Sequence, residues 1–147
     1  MGFLQGLRIS SSGLAAERVR MNVISENLAN ASTTKVEGQE GPYKRKDVVF
    51  TARDSGLTFD ELMRQAMDPN LKEVKVSGIV EDKKPPRMVH NPSHPEANKD
   101  GYVAMPNVSV MEEMVNMITS TRSFEANTTA LNATKQMAMT AITIGRG

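Results

Sequence analysis

The run VMEEMVNMITSTRSFEANTTALNATKQMAMTAITI, residues 110–144, decides the fold. It contains neither Pro nor Gly, so nothing in it breaks a helix. Ser109-Val110-Met111-Glu112 reads as a capping box, in which a Ser hydroxyl and a Glu carboxylate satisfy orphan amides at a helix start. Val110, Met117, Phe124, Leu131 and Ala138 recur every seven residues. Met114 and Ile142 fall in the companion column, where Thr121, Thr128 and Lys135 dilute it. The run predicts one helix, about 50 Å long at roughly 1.5 Å per residue. Its outward side is unusual for an exposed helix. From 126 to 144 the single charge is Lys135, and Ala, Thr, Asn and Met fill most other positions. Small, uncharged outer faces predict burial against more than one neighbour.

A second arm, from about Leu4 to Ala31, carries a matching seam. Leu7, Leu14, Met21 and Leu28 recur every seven residues, with Phe3 and Ile24 in a companion column that also holds Ser10 and Glu17. All seven prolines (Pro42, Pro69, Pro85, Pro86, Pro92, Pro95 and Pro106) lie between the two arms, and most of the charge lies there too. Proline breaks helix interiors, so this confinement separates two helical arms from an irregular middle. In that middle Val48-Val49-Phe50 forms a strand core within Tyr43–Arg53. Val74, Val76 and Val80 alternate as a half-buried strand does, and Arg87-Met88-Val89-His90 is a third short candidate. Thr58-Phe59-Asp60-Glu61 could cap a short helix bearing Leu62, Met63, Ala66 and Met67. Asn91-Pro92-Ser93-His94-Pro95 should be extended or turned. The expected class is α+β. Residues 1–35 and 107–147 form long helices paired as a coiled-coil-like layer, and 36–106 form a β-rich, proline-containing insert.

Composition excludes several functions. The chain has 147 residues, 18 basic and 17 acidic, for a formal charge of +1; a binder that neutralises phosphates would show a basic excess, so no nucleic-acid partner is expected. Without Cys there is no disulfide, thiolate metal site or cysteine nucleophile. Aromatic residues make up 4% with no Trp, and 11 Met supply much of the apolar bulk. No apolar stretch approaches the roughly 18 residues of a membrane span, and no cleavable secretion signal is visible at the N-terminus. Direct membrane insertion is not expected, and export would need another route.

Possible chemical motifs read as ordinary structure. His90 and His94 have helical zinc spacing, but Pro92 and Pro95 deny them the helix, so surface turn histidines are expected and no metal or other cofactor. Lys44-Arg45-Lys46 reads as a solvated strand edge that discourages stray pairing. Asp60-Glu61 and Glu112-Glu113 are adjacent carboxylates that point different ways on a helix, which does not make an acid–base pair. No phosphate loop or nucleophile elbow is present. No enzyme activity is expected. Ser25-Glu26-Asn27-Leu28-Ala29-Asn30-Ala31-Ser32-Thr33-Thr34 should end the first helix, since Asn, Ser and Thr compete for backbone hydrogen bonds.

These residues also carry a resemblance. Asn27-Leu28-Ala29-Asn30 followed by Thr33 resembles the N-terminal signature of the bacterial flagellar rod and hook proteins, the axial family. Further stretches are similar to its proximal rod subunits. They are Pro42-Tyr43 with Arg45, Val74-Lys75-Val76, Val89 through Asn98, Gly101-Tyr102-Val103, Met105-Pro106-Asn107-Val108, and Arg122-Ser123-Phe124-Glu125-Ala126-Asn127. His90-Asn91 stands where Tyr-Asp is more usual, and Lys35 follows Thr33-Thr34 where many relatives carry Gly. The resemblance implies a structural subunit of the proximal rod in the periplasmic space. It would be held in the cytoplasm before export by the flagellar type III secretion apparatus, and in the rod it would transmit torque from the motor ring to the distal rod and hook. The implied partners are other copies, proximal and distal rod subunits, the rod–ring junction protein and the inner-membrane ring. In this reading Leu7, Leu14, Met21, Ile24 and Leu28 pack against Val110, Met114, Met117, Phe124, Leu131, Ala138 and Ile142. Tyr43, Arg45, Pro92, His94, Pro95, Asn98, Gly101, Tyr102, Pro106 and Asn107 are candidate subunit contacts. The competing reading is a soluble helical-hairpin adaptor or export chaperone, which should expose abundant charge on its helices.

Overall fold

The computed structural model describes residues 3–38, 41–53 and 72–145, and the side chains of 6–38, 41–52 and 72–145. The predicted short helix around Thr58–Met67 lies outside the described residues. Two long helices carry the architecture: α1 (Phe3–Ala29) and α2 (Val110–Ile144). Between them lie β1 (Lys46–Arg53), β2 (Glu73–Glu81), β3 (Arg87–His90) and β4 (Tyr102–Met105). The class is α+β.

Both helix boundaries follow from local chemistry. Ser109 has extended backbone at φ −90° and ψ 107°, and its hydroxyl accepts from the Glu112 amide at 3.4 Å. Glu112 and Glu113 sit in the first turn, where the helix dipole favours negative charge. α1 ends in the polar cluster: the Asn30 side-chain amide donates to the Glu26 carbonyl at 2.9 Å, and the Thr33 hydroxyl donates to Asn30 Oδ1 at 3.2 Å.

The helices run antiparallel and pack along each other. Gly6 lies against Thr134, Gly13 against Asn127, the hydroxyl of Ser120 donates to Glu17, and Asn27 meets Glu113. On α2 these contacts step by seven residues, about two turns, so one column of its seam is made of small and polar side chains. Glycine's missing Cβ lets α1 approach: a Cβ at Gly13 would lie 3.2 Å from Asn127 Nδ2.

The inward columns of α2 differ from the expected ones. Met117, Phe124, Leu131 and Ala138 are half-buried, as are Leu7, Leu14, Met21 and Leu28 on α1, and Ile24 is buried. Val110, Met114 and Ile142, expected in the packing seam, are 47%, 51% and 60% exposed. The companion column lies one residue earlier, at Glu113, Ser120, Asn127 and Thr134, all buried or half-buried. Glu113, Ser120 and Thr134 are hydrogen-bonded in place, and half-buried Asn127 fits into the space left by Gly13.

The four strands form two separate antiparallel pairs, β1 with β2 and β3 with β4. Val49 pairs with Gly78 and Phe50 with Val76, which leaves Ser77 as the extra residue of a bulge, its hydroxyl donating to the Val49 carbonyl at 3.1 Å. The expected half-buried face of β2 does not form as a unit. Val76 is half-buried and Val74, on the same side of the bulge, is 38% exposed; beyond Ser77 the bulge breaks the period of two, and Val80 is 50% exposed. Ser12 Oγ accepts from the Val74 amide, and Arg8 pairs with Glu73 at 3.0 Å, fastening this hairpin to α1. β4 is a strand that alternation did not single out; its Val103 is 2% exposed. The loop from β3 to β4 is turned, with the Asn91 amide donating to the Gly101 carbonyl at 2.8 Å. Gly101 has φ +78°, and a Cβ there would meet His90 and Pro92 at 3.1 Å, so the turn requires glycine.

The buried core is small and sits where the strands meet the helix pair: Ala16, Val23, Ile24, Tyr43, Val103, Pro106 and Val108. No helix among the described residues is long and apolar enough to cross a membrane.

Candidate functional site

At the centre of that core four side chains join three parts of the chain. Asn27 projects from the last two turns of α1 and is 1% exposed. Its Oδ1 accepts from the Tyr43 hydroxyl and the Lys46 amide, both at 2.9 Å. Its Nδ2 donates to the Lys46 carbonyl at 2.8 Å and to Glu113 Oε2 at 3.0 Å. All four hydrogen-bonding positions of the amide are therefore filled. Glu113, fully buried in the first turn of α2, also accepts from Arg45 Nε at 2.9 Å, and its Oε1 lies 2.8 Å from Arg45 Nη2 as an ion pair. Among the described residues no buried side-chain polar atom lacks a partner.

Burial and charge tune this junction. Burial pushes the Tyr43 phenol up to about 12, assisted by the negative charges of Glu26, Glu113 and Glu81. Burial alone would lower the Arg45 pKa, but the hydrogen bonds and charge of Glu113, with Asp47, raise it overall. Arg45 stays a cation and Tyr43 a neutral donor at any physiological pH, so the arrangement is a structural joint rather than proton-transfer machinery.

The basic cluster is thus only in part a solvated strand edge: Lys44 is exposed, whereas Arg45 and Lys46 are drawn into the junction. Lys46 pairs with Glu26 and lies 5.6 Å from the centre of the Tyr43 ring, Arg45 pairs with Glu113, and Lys44 lies 3.7 Å from Glu81. Each partner is distant in sequence, which is why the run alone looked solvated. Two expected subunit contacts, Tyr43 and Pro106, are buried inside the chain, and Arg45 is held by Glu113. In the single chain the Tyr43 hydroxyl is taken up by Asn27, and Arg45, 21% exposed, is shared between Glu113 and Asp47. Glu113 itself was missed; its signal was a carboxylate beside Glu112 on the inward side of α2.

The remaining contact candidates lie on the β3–β4 loop, at the start of β4 (Tyr102) and just after β4. Pro92, Pro95, Asn98 and Tyr102 are exposed, while His94, Gly101 and Asn107 are half-buried. Asn98 Oδ1 accepts from the Asp100 amide at 3.0 Å and the Tyr102 amide at 2.8 Å. The His90 and Tyr102 rings meet edge to face at 5.1 Å. His94 Nδ1 accepts from the Glu96 amide at 3.2 Å, and the described residues contain no cluster of three or more metal-ligating side chains.

The surface that stands out is on α2. Met111, Met114, Val115 and Ile118 are 76%, 51%, 61% and 53% exposed, and their i, i+3, i+4, i+7 spacing places them on one helix face. Near its other end Met137, Met139, Ile142 and Ile144 are 65%, 60%, 60% and 75% exposed. Contiguous apolar exposure of this kind marks an interaction surface.

Comparison with known proteins agrees with a structural role. Residues 7–35 match the family model described as flagella basal body rod protein, and residues 99–144 match that for the flagellar basal body rod FlgEFG protein C-terminal region. The flagellar basal-body rod protein FlgC of Bacillus subtilis (strain 168) is 44% identical over 99% of this chain and 100% of its own length. The FlgC proteins of Borreliella burgdorferi and Salmonella typhimurium are 37% and 40% identical, each across its whole length and over 100% and 99% of this chain respectively. With such likeness over its whole length, the chain belongs to the FlgC family of flagellar basal-body rod proteins, structural components of the flagellum rather than enzymes.

Proposed function

We propose that this chain is a subunit of the proximal rod, built into a helical tube whose inner layer is formed by residues 1–35 and 107–147 and whose outer layer is formed by 36–106. The supporting observation is the apolar face Met111, Met114, Val115 and Ile118 on a helix already packed on α1 along its opposite side. Burying one such side chain contributes roughly 1.5–3 kcal/mol, so repeated contacts along a tube would hold it firmly. The neighbours are other copies, further proximal and distal rod subunits, the rod–ring junction protein and the inner-membrane ring. Pro92, His94, Pro95, Asn98, Gly101, Tyr102 and Asn107 supply further contacts. The rod lies in the periplasmic space and passes torque from the motor ring to the distal rod and hook. The subunit waits in the cytoplasm and leaves through the flagellar type III export apparatus. Half-polar seams suit that route, because helices held firmly only in the assembly leave the single chain easy to unfold.

Ile118→Asp tests the reading, since an exposed side chain can be changed without disturbing the folded chain. Purified protein should keep its helical circular dichroism, while cells carrying it should be non-motile and lack rod beyond the inner ring. Normal swimming with full-length rods would overturn the proposal.

A further inference from the structure

We propose that the buried Arg45–Glu113–Asn27 junction fixes the register of α1 against α2, which the helix seam by itself leaves nearly degenerate. Four contacts define the observed register: Gly6 with Thr134, Gly13 with Asn127, Ser120 with the Glu17 region, and Asn27 with Glu113. Sliding one helix by seven residues preserves most of this pattern. In one direction Gly6 would face Asn127 and Gly13 would face Ser120; in the other Gly6 would face Ala141 and Gly13 would face Thr134. Glycine again meets a small or medium side chain in every case. The Leu7, Leu14, Met21 and Leu28 column and the Met117, Phe124, Leu131 and Ala138 column both repeat every seven residues and so tolerate the same slip. A slip even places Arg20 opposite Glu113, a substitute ion pair.

The junction is different because it has no repeat. Glu113 is fully buried, takes a hydrogen bond from Arg45 Nε and one from Asn27 Nδ2, and is ion-paired with Arg45 Nη2 at 2.8 Å. Arg45 directly precedes β1, and Asn27 is bound to both backbone groups of Lys46. The strand therefore holds Arg45 and Asn27 in place, and only one position along α2 brings Glu113 to them. A buried polar group that is satisfied in a single register, at little or no gain in stability, is the best-attested use of such groups.

The test uses disulfide closure in the full-length chain, which has no cysteine of its own. Gly6→Cys is combined with Thr134→Cys for the observed register, and with Asn127→Cys or Ala141→Cys for the two slipped ones. A slip of seven residues moves a partner by roughly 10 Å, beyond the reach of a disulfide. With the junction intact, mild oxidation should close the Thr134 pair and leave the other two open. In an Arg45→Met/Glu113→Leu background, the chain should remain helical by circular dichroism, and the preference for the Thr134 pair should fall by about tenfold or more, as expected when a charge-assisted hydrogen bond no longer discriminates. Unchanged selectivity in that background would overturn the proposal, as would closure of all three pairs with the junction intact. If the double variant loses its helices, Glu113→Gln, which keeps size and shape, carries the same test: reduced selectivity supports the proposal and unchanged selectivity refutes it.

Discussion

The Tyr43 hydroxyl donates to Asn27 Oδ1 at 2.9 Å, tying the segment before β1 to the end of α1. The phenol is held at about 12 against an ordinary 10, chiefly by burial and then by nearby carboxylates. A raised pKa means that the folded chain holds its proton more tightly than the unfolded one. The stabilisation is complete below pH 10 and is lost as pH rises from there through about 12. Full loss amounts to on the order of 2 kcal/mol. Stability measured by urea unfolding should fall more steeply across this window in the parent chain than in Tyr43→Phe. Parallel curves for the two proteins would contradict the assignment.

Glu113 and Arg45 should be strongly coupled. Glu113→Leu strands the Arg45 guanidinium and one Asn27 donor, and should cost about 3 kcal/mol. Adding Arg45→Met should recover part of that loss, because a paired apolar replacement leaves no buried charge. A double-mutant cycle on urea midpoints should give a coupling of about 1 kcal/mol or more. Simple additivity would place the two groups outside a shared network.

The two seam glycines should respond in opposite senses. A Cβ at Gly6 would make ordinary contact with Thr134 at 3.9 Å, so Gly6→Ala should stabilise the chain by roughly 0.5–1 kcal/mol through helix propensity. At Gly13 the nearest atom is Asn127 Nδ2 at 3.2 Å, and a branched side chain there must force the helices apart. Gly13→Val should destabilise by about 1–3 kcal/mol. Thermal unfolding of the two variants side by side checks the contrast.

What the sequence shows and what it hides separate along physical lines. Helix limits were legible because proline confinement and Ser109 are local signals, and α2 begins and ends at Val110 and Ile144. The seven-residue Leu and Met columns were legible for the same reason. The second column was not, since hydrophobicity points to Met114 and Ile142 while the helices bury Glu113, Ser120, Asn127 and Thr134. A polar residue earns burial through partners, and those partners lie far away in the chain: Arg45 is 68 positions from Glu113 and Asn27 is 86. The bulge at Ser77 is equally invisible to alternation, and β4 is short, with Val103 its one buried residue. Asn27 was singled out by its family motif, but its role became physical only with Tyr43, Lys46 and Glu113 around it.

The rod reading rests on the exposed face of α2 becoming covered on assembly. The chain lacks cysteine, so Ile118→Cys introduces a single thiol at a position 53% exposed in the lone chain. Its rate of maleimide labelling can be compared between purified subunit and isolated basal bodies. The free chain should label readily and the assembled rod should be protected by at least about tenfold, the equivalent of roughly 1.4 kcal/mol in accessibility. Equal labelling in the two states would contradict the account.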